Sequence, residues 1–192
     1  MSQTTVLIGF AEAMSAPEVL WSLVDAGFRV VAFARRGKPS ALRHSRYVSC
    51  HEICAPESDI QASLSELEAL VKSLGSQTGE GQRILFPLDD KAVWLCSKLN
   101  LERSWRLAGP SGSCADLALR KDVQVAAARE AGFNVPQTLL ARTANDLIAF
   151  AGNESYPVIL KAAECVPIYQ GRVHSCRKWI CANRSELDRE ML

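Results

Sequence analysis

Two lysines carried by separate elements are the residues of this sequence best suited to chemistry. Lys121 enters a helical stretch, Asp122 to Ala131, which Gly132 stops. An extended segment through Val135-Pro136 follows, and the apolar run Tyr156-Pro157-Val158-Ile159-Leu160 then delivers Lys161. Each ammonium is a compact charge on a long stem, so a converging pair can hold a polyphosphate. A lysine after an apolar run must extend its stem to water or find an anion. Most lysines at helix ends are simply solvated; the pairing with Lys161 is what singles out Lys121.

The elements that must position these residues alternate strand and helix. Thr4 to Gly9 is a short apolar run ending in glycine and predicts a buried parallel strand. Ser15 with Glu18 has capping-box spacing, Pro17 falls in the first turn, and Val19, Leu20, Leu23 and Val24 form a helical apolar face that Gly27 ends. Phe28 to Ala34 is the next strand, and the polar stretch Arg35 to Ser40 leaves it. Leu64, Leu67, Leu70, Val71 and Leu74 predict a helix ending at Gly75, with a loop from Ser76 to Gly81. Arg83 to Pro87 is a strand, Asp89-Asp90 caps a helix carrying Val93, Leu95, Cys96 and Leu99, and Trp105 to Gly109 completes the layer. The alternation predicts a doubly wound, mostly parallel α/β domain over residues 1–112, with a right-handed crossover. Pro110-Ser111-Gly112-Ser113 reads as a hinge to a second domain over residues 113–192. There a helix near Thr143 to Ala151, the strand to Lys161, and extended chain from Ile168 to Ala182 turning at Gln170-Gly171 are expected. Ser185 and Asp188 are placed to cap a last helix.

Composition excludes several classes. With 22 Lys plus Arg against 21 Asp plus Glu the net charge is +1, so the basic face of a nucleic-acid or membrane-surface binder is not expected. No apolar run approaches the ~20 residues of a membrane span. The N-terminus lacks a signal pattern, and the expected location is cytoplasmic. Seven cysteines, in a chain long enough to build its own core, read as reduced thiols. Cys50-His51-Glu52-Ile53-Cys54 lacks the second pair a zinc site needs, so no metal ligands are assigned. The loop Gly9 to Ser15 holds one glycine, which argues against a dinucleotide fingerprint, and Gly9 is expected to serve the turn at the strand end. Glu12, Asp89 and Asp90 fall where strands of an open sheet end and ligands bind, although helix capping explains an aspartate there equally well.

The lysine pair, the eleven-residue interval from Lys121 to Gly132, the Val135-Pro136-Gln137-Thr138 segment and the Pro157-Val158-Ile159-Leu160-Lys161 strand together resemble the first half of an ATP-grasp domain. Biotin carboxylase, carbamoyl phosphate synthase and D-alanine–D-alanine ligase are members of that superfamily. Ser45-Arg46-Tyr47-Val48 resembles a segment of the pre-ATP-grasp domain that precedes it. The resemblance implies a Rossmann-like pre-ATP-grasp domain followed by an incomplete α+β ATP-grasp subdomain. It implies that Lys121 and Lys161 contact ATP phosphates and that Glu12, Asp89 and Asp90 face the substrate. Arg120 departs from the family's pattern, in which an acidic residue often precedes the lysine. A second departure is the stretch from Ala162 to Arg172, which carries one glycine where a glycine-rich phosphate loop is usual. Arg172 either supplies the missing charge or is a surface cation of a hairpin.

The enzymatic reading is the N-terminal portion of an ATP-dependent carboxylate–amine ligase working through an acyl phosphate. Its expected ligands are ATP, Mg2+ and a small carboxylate, and homodimerisation is left open. The resemblance puts the Mg2+ ligands in the second half of the domain, outside these residues, so this portion alone is expected to be inactive. The competing reading is a non-catalytic interaction module derived from such a protein.

Overall fold

The computed structural model describes residues 3–77, 81–153 and 156–190, which form two compact units. One comprises the chain to Leu119 together with Val166–His174; the other comprises Arg120–Cys165 and Ser175–Leu192.

The first unit is built on β1 (Thr5–Gly9), whose five residues are all buried. A strand covered on both faces has no use for alternation, which is why Val6-Leu7-Ile8 reads as a continuous apolar run. Around it lie β2 (Arg29–Arg35), β3 (Ser49–Ile53), β4 (Arg83–Pro87) and β5 (Trp105–Leu107), in the order β3-β2-β1-β4-β5 with every pairing parallel. Residues of opposite parity go to opposite faces. Val6, Ile8, Val30 and Ala32 pack with Leu20 of α1 (Ala16–Asp25) and with Leu42 of a short 3-10 turn at 41–44. Leu7, Val31 and Phe33 pack on the other side with Leu67, Val71 and Leu74 of α2 (Ile60–Gln77) and with Ala92, Leu95 and Cys96 of α3 (Asp90–Ser97). The helix α4 (Ser113–Ala118) buries Ala115 and ties to the end of α3 through Lys98 and Asp116, 3.0 Å apart.

The second unit contains α5 (Lys121–Glu130), α6 (Ala144–Asn153), the antiparallel pair β6 (Val158–Lys161) and β9 (Lys178–Cys181), and α7 (Arg184–Glu190). Its small core joins Cys181 and Leu187 to Tyr156, Val158, Leu160 and Trp179. The hairpin β7 (Ile168–Tyr169) and β8 (Arg172–Val173) belongs to the first unit. Gln170 and Gly171 both have positive φ (50° and 72°), as a two-residue hairpin turn requires.

The doubly wound parallel sheet is as expected, with informative differences. The strand β3 escapes a hydrophobicity reading because it is a sheet edge: Ser-Cys-His-Glu-Ile buries only its last residue. The capping box at Ser15 does not form; its side chain accepts no hydrogen bond, while Pro17 still sits in the first turn. At α7 the cap moves two residues upstream: Asn183 accepts the Glu186 N–H (3.0 Å) and Glu186 reaches back to the Ala182 N–H (2.8 Å). The helix α2 continues past Gly75 to Gln77, and the rest of the expected loop, 78–80, lies outside the described residues. The expected last helix to Leu192 is described as far as Glu190.

Candidate functional site

In the first unit, charge gathers where β1, β2 and β4 end. Gly9 stands opposite Phe33, and a Cβ on Gly9 would lie 2.2 Å from the Phe33 ring. The glycine, the last residue of β1, therefore gives the ring its clearance, a role the sequence did not show. Phe33 meets Phe10 edge-on, with centroids 5.2 Å apart, and the Arg35 guanidinium carbon sits 3.7 Å above the Phe10 ring. Arg35 closes this stack with a side chain only 7% exposed. Around it, Glu12 Oε1 accepts from Nη1 at 2.8 Å, Asp89 Oδ2 accepts from Nη2 at 3.0 Å, and Glu57 Oε1 lies 3.3 Å from Nε. Lys91 donates to the same Glu57 oxygen at 2.6 Å.

Three carboxylates thus surround two cations, leaving one net negative charge in the cluster. Burial pulls the Arg35 pKa down, but Asp89, Glu12 and Glu57 outweigh it and hold the guanidinium above its ordinary value. Burial likewise pushes the Glu57 carboxyl up, and the Lys91 hydrogen bond, the backbone and Arg35 together hold it below its ordinary value. The loop after β1 is fixed from two sides: the Ala11 N–H donates to the Phe33 carbonyl (2.8 Å), and the buried Ser40 hydroxyl donates to the Ala11 carbonyl (2.8 Å).

Arg35 brings Glu12 and Asp89 together. Asp89 does both things the sequence left open: Oδ1 caps α3 by accepting the Ala92 N–H at 2.7 Å, and Oδ2 pairs with Arg35. Asp90 is exposed in the first turn of α3. Arg35 itself is a correction, since the sequence reading put it in a polar loop. It is the last residue of β2, buried because three carboxylates from separate loops neutralise it. The available signal was an arginine at the exit of an apolar parallel strand, where a lone charge needs acidic partners. Cys50 to Ile53 lie in β3, and among the described residues no group of three or more His, Cys, Asp or Glu side chains is placed to hold a metal ion.

The second unit holds both lysines. An isolated antiparallel bridge pairs Arg120 with Glu164, and the Lys121 N–H donates to the Ala163 carbonyl at 2.8 Å. The start of α5 is thereby fixed two residues beyond Lys161, the exposed last residue of β6. Lys121 Nζ lies 3.2 Å from Cys165 Sγ. Arg172 is in the first unit, exposed on β8, where it lines a shallow cleft of about 330 Å³ with Ser58, Asp59, Ile60, Gln61, Gln170 and Gly171.

With this geometry, the chain is similar to several solved enzymes. Against the biotin carboxylase domain of Hydrogenobacter thermophilus 2-oxoglutarate carboxylase, a structure with MgADP, ADP and bicarbonate, the TM-score is 0.56 at 18% identity, covering 99% of this chain and 40% of that one. For N5-carboxyaminoimidazole synthetase from Staphylococcus aureus the TM-score is 0.54 at 17% identity, covering 97% and 42%. For an L-amino acid ligase from Bacillus licheniformis it is 0.56 at 15% identity, covering 98% and 41%. The chain has the fold of part of an ATP-grasp enzyme. It spans about two-fifths of the length of these structures. At the level of the fold, the resemblance read from the sequence is borne out. No protein-family model matches the sequence, and no curated protein matches it either.

Proposed function

We propose that this chain is the N-terminal portion of an ATP-dependent ligase that activates a carboxylate as an acyl phosphate, with Lys121 and Lys161 holding ATP phosphates. The observation that carries this reading is the hydrogen bond from the Lys121 amide to the Ala163 carbonyl, which ties the helix bearing one lysine to the strand exit bearing the other. Two ammonium groups so tethered favour a polyanion, because each phosphate oxygen they contact gains a charge-assisted hydrogen bond. The solved structures of the same fold, one of them with MgADP, add support.

In the proposed reaction a carboxylate oxygen attacks the γ-phosphorus and ADP leaves with the electron pair of the broken P–O bond. An amine nitrogen then attacks the acyl carbon, phosphate departs, and the amine proton passes to solvent or to a nearby base. The lysines' part is to position the phosphates and to stabilise charge as it moves onto the leaving ADP. Mg2+, when bound, would neutralise charge on the transferred phosphoryl group; the sequence resemblance implies that its ligands belong to the second half of such a domain, and none of the described residues is proposed to hold it. The Arg35 cluster, at the sheet end where ligands of such sheets bind, is proposed as the substrate-facing wall of the first unit, with Glu12 and Asp89 held in place by Arg35.

The test is calorimetric titration of ATP with Mg2+ into the protein carrying this chain, alongside Lys161→Ala, with ADP release measured for a series of carboxylates. Loss of one charge-assisted contact is expected to weaken ATP binding about ten-fold or more. Equal affinity in Lys161→Ala sinks the role given to that lysine. A discrete complex with another protein, without ATP binding, would favour the interaction module instead.

A further inference from the structure

In the second unit three chain segments meet at Cys165. On one side, the bridge between Arg120 and Glu164 and the bond from the Lys121 N–H to the Ala163 carbonyl bring the start of α5 alongside it. There Lys121 Nζ donates to Cys165 Sγ at 3.2 Å. On the other side, Cys176 Sγ lies 4.0 Å from the carbonyl oxygen of Glu164, the residue bonded to Cys165. The approach of the two thiols has a source in the sequence. Cys165 stands three residues before Ile168 and Cys176 three residues after Val173, and Ile168 and Val173 are partners in the β7–β8 hairpin. One step out, the His174 N–H still donates to the Pro167 carbonyl at 2.8 Å. Carried outward, that register makes Cys165 and Cys176 partners on opposite arms. Residues so opposed have Cα atoms about 4.5–5.5 Å apart, inside the roughly 4.4–6.8 Å that a disulfide spans. The ammonium at Cys165 supplies what the chemistry of such a pair requires, because the thiolate is the nucleophile and a neighbouring lysine favours it.

We propose that Cys165 and Cys176 are a thiol–disulfide exchange site for low-molecular-weight disulfides, with Cys165 the attacking sulfur, Cys176 the resolving one and Lys121 the group that positions the Cys165 thiolate. The thiolate attacks one sulfur of the small disulfide; that S–S bond breaks, and a small thiolate leaves with its electron pair. The Cys176 sulfur, giving up its proton to solvent, then attacks Cys165 Sγ and expels the second small thiolate. The two protein sulfurs lose two electrons. The small disulfide gains them and becomes two thiols, taking from solvent the two protons that the protein thiols gave up. Closure also reaches the ATP site, and this part rests on the nucleotide reading above. Lys121 exchanges an anionic sulfur for a neutral one, a weaker acceptor, so its charge is left to the phosphates. ATP binding is therefore expected to be tighter in the disulfide form.

The experiment incubates the protein carrying this chain, and its Cys165→Ser, Cys176→Ser and Lys121→Met variants, with oxidised glutathione. Disulfides and glutathione adducts are then located by peptide mass spectrometry. The parent is expected to close the Cys165–Cys176 disulfide, which dithiothreitol reopens. Cys176→Ser is expected to stop with glutathione on Cys165, and Cys165→Ser to acquire it on Cys176 about ten-fold more slowly. Lys121→Met is expected to slow the reaction of Cys165 about ten-fold at pH 7 and to match the parent at about pH 10, where thiols ionise without help. A parent that never closes the pair overturns the site. Attack at Cys176 as fast as at Cys165 overturns the choice of attacking sulfur, and a Lys121→Met rate ratio that stays the same at both pH values overturns the part given to Lys121. Calorimetric titration of ATP with Mg2+ into the reduced and disulfide forms tests the coupling, and affinity about ten-fold tighter in the disulfide form supports it. Equal or weaker affinity there overturns the coupling while the exchange site and the nucleotide reading survive. Absence of ATP binding in both forms overturns the nucleotide reading and the coupling with it, and leaves the exchange site to the glutathione result.

Discussion

Replacing Arg35 by methionine tests whether the charge cluster at the sheet end is held by that one residue. The substitution removes a cation 7% exposed and leaves Glu12, Glu57 and Asp89 facing one another with Lys91 as the remaining counter-charge, so the net charge goes from −1 to −2. Breaking a buried ion pair from one side costs about 3–5 kcal/mol. The carboxylates here are 15–32% exposed, so part of their charge is solvated and the lower end, about 3 kcal/mol, is expected. For a unit of this size that corresponds to a fall in Tm of about 10 °C. Methionine can cover the Phe10 ring in place of the guanidinium that stacks on it, so the loss is chiefly electrostatic.

The pH dependence separates the electrostatic account from lost packing. The Glu57 carboxyl is held below its ordinary value of 4.5, so the stability it contributes is present above that pH and is lost as pH falls through its folded-state value. In Arg35→Met one of the causes of that depression is gone, and the crowded carboxylates are relieved when protonated. The stability gap between parent and variant should therefore shrink in acid. The assay is denaturant unfolding at pH 7 and at several values below 4.5. A gap that stays constant with pH, or a variant as stable as the parent at pH 7, refutes the reasoning. Arg35→Lys keeps the charge but lacks the fork reaching three carboxylates, and should fall between the two.

Two further outcomes follow from the packing. Gly9→Ala places a methyl 2.2 Å from the ring of Phe33, which is itself fully buried, and should cost about 1–3 kcal/mol in denaturant unfolding; an unchanged midpoint would mean that β2 shifts freely. Cys114 and Cys176 are exposed, while Cys96 and Cys181 are buried and their thiols pushed up by burial, so native protein should label with a thiol reagent at the first two well before the others. Equal labelling rates at all four would contradict that packing.

What the sequence disclosed and what it hid have physical reasons. Central strands such as β1 and β2 show themselves because burial on both faces demands an unbroken apolar run, and β6 does so because Lys161 follows one. The edge strand β3 has no such demand and escaped notice. Asp89 was visible as a helix cap because capping is local; its second bond to Arg35 spans 54 positions in the chain and no local pattern encodes it. Arg35 looked like the start of a loop because an arginine beside Arg36, Gly37 and Lys38 reads as solvated, and only the sheet brings acidic loops from residues 12, 57 and 89 around it.

The hairpin at 168–173 sets a schedule for the ribosome. The Val173 N–H donates to the Pro56 carbonyl at 2.9 Å, the Ile60 N–H donates to the Gly171 carbonyl at 3.2 Å, and the Val173 side chain is buried. The first unit therefore waits for residues made some fifty positions after Leu119 before these bonds can close. A gene cut after codon 119 would release a unit in which the Pro56 carbonyl and the Ile60 amide, at the entry to α2, have lost their partners. Cutting after codon 174 would instead preserve those partners and carry the residues of the second unit between 120 and 165 along as an enforced passenger.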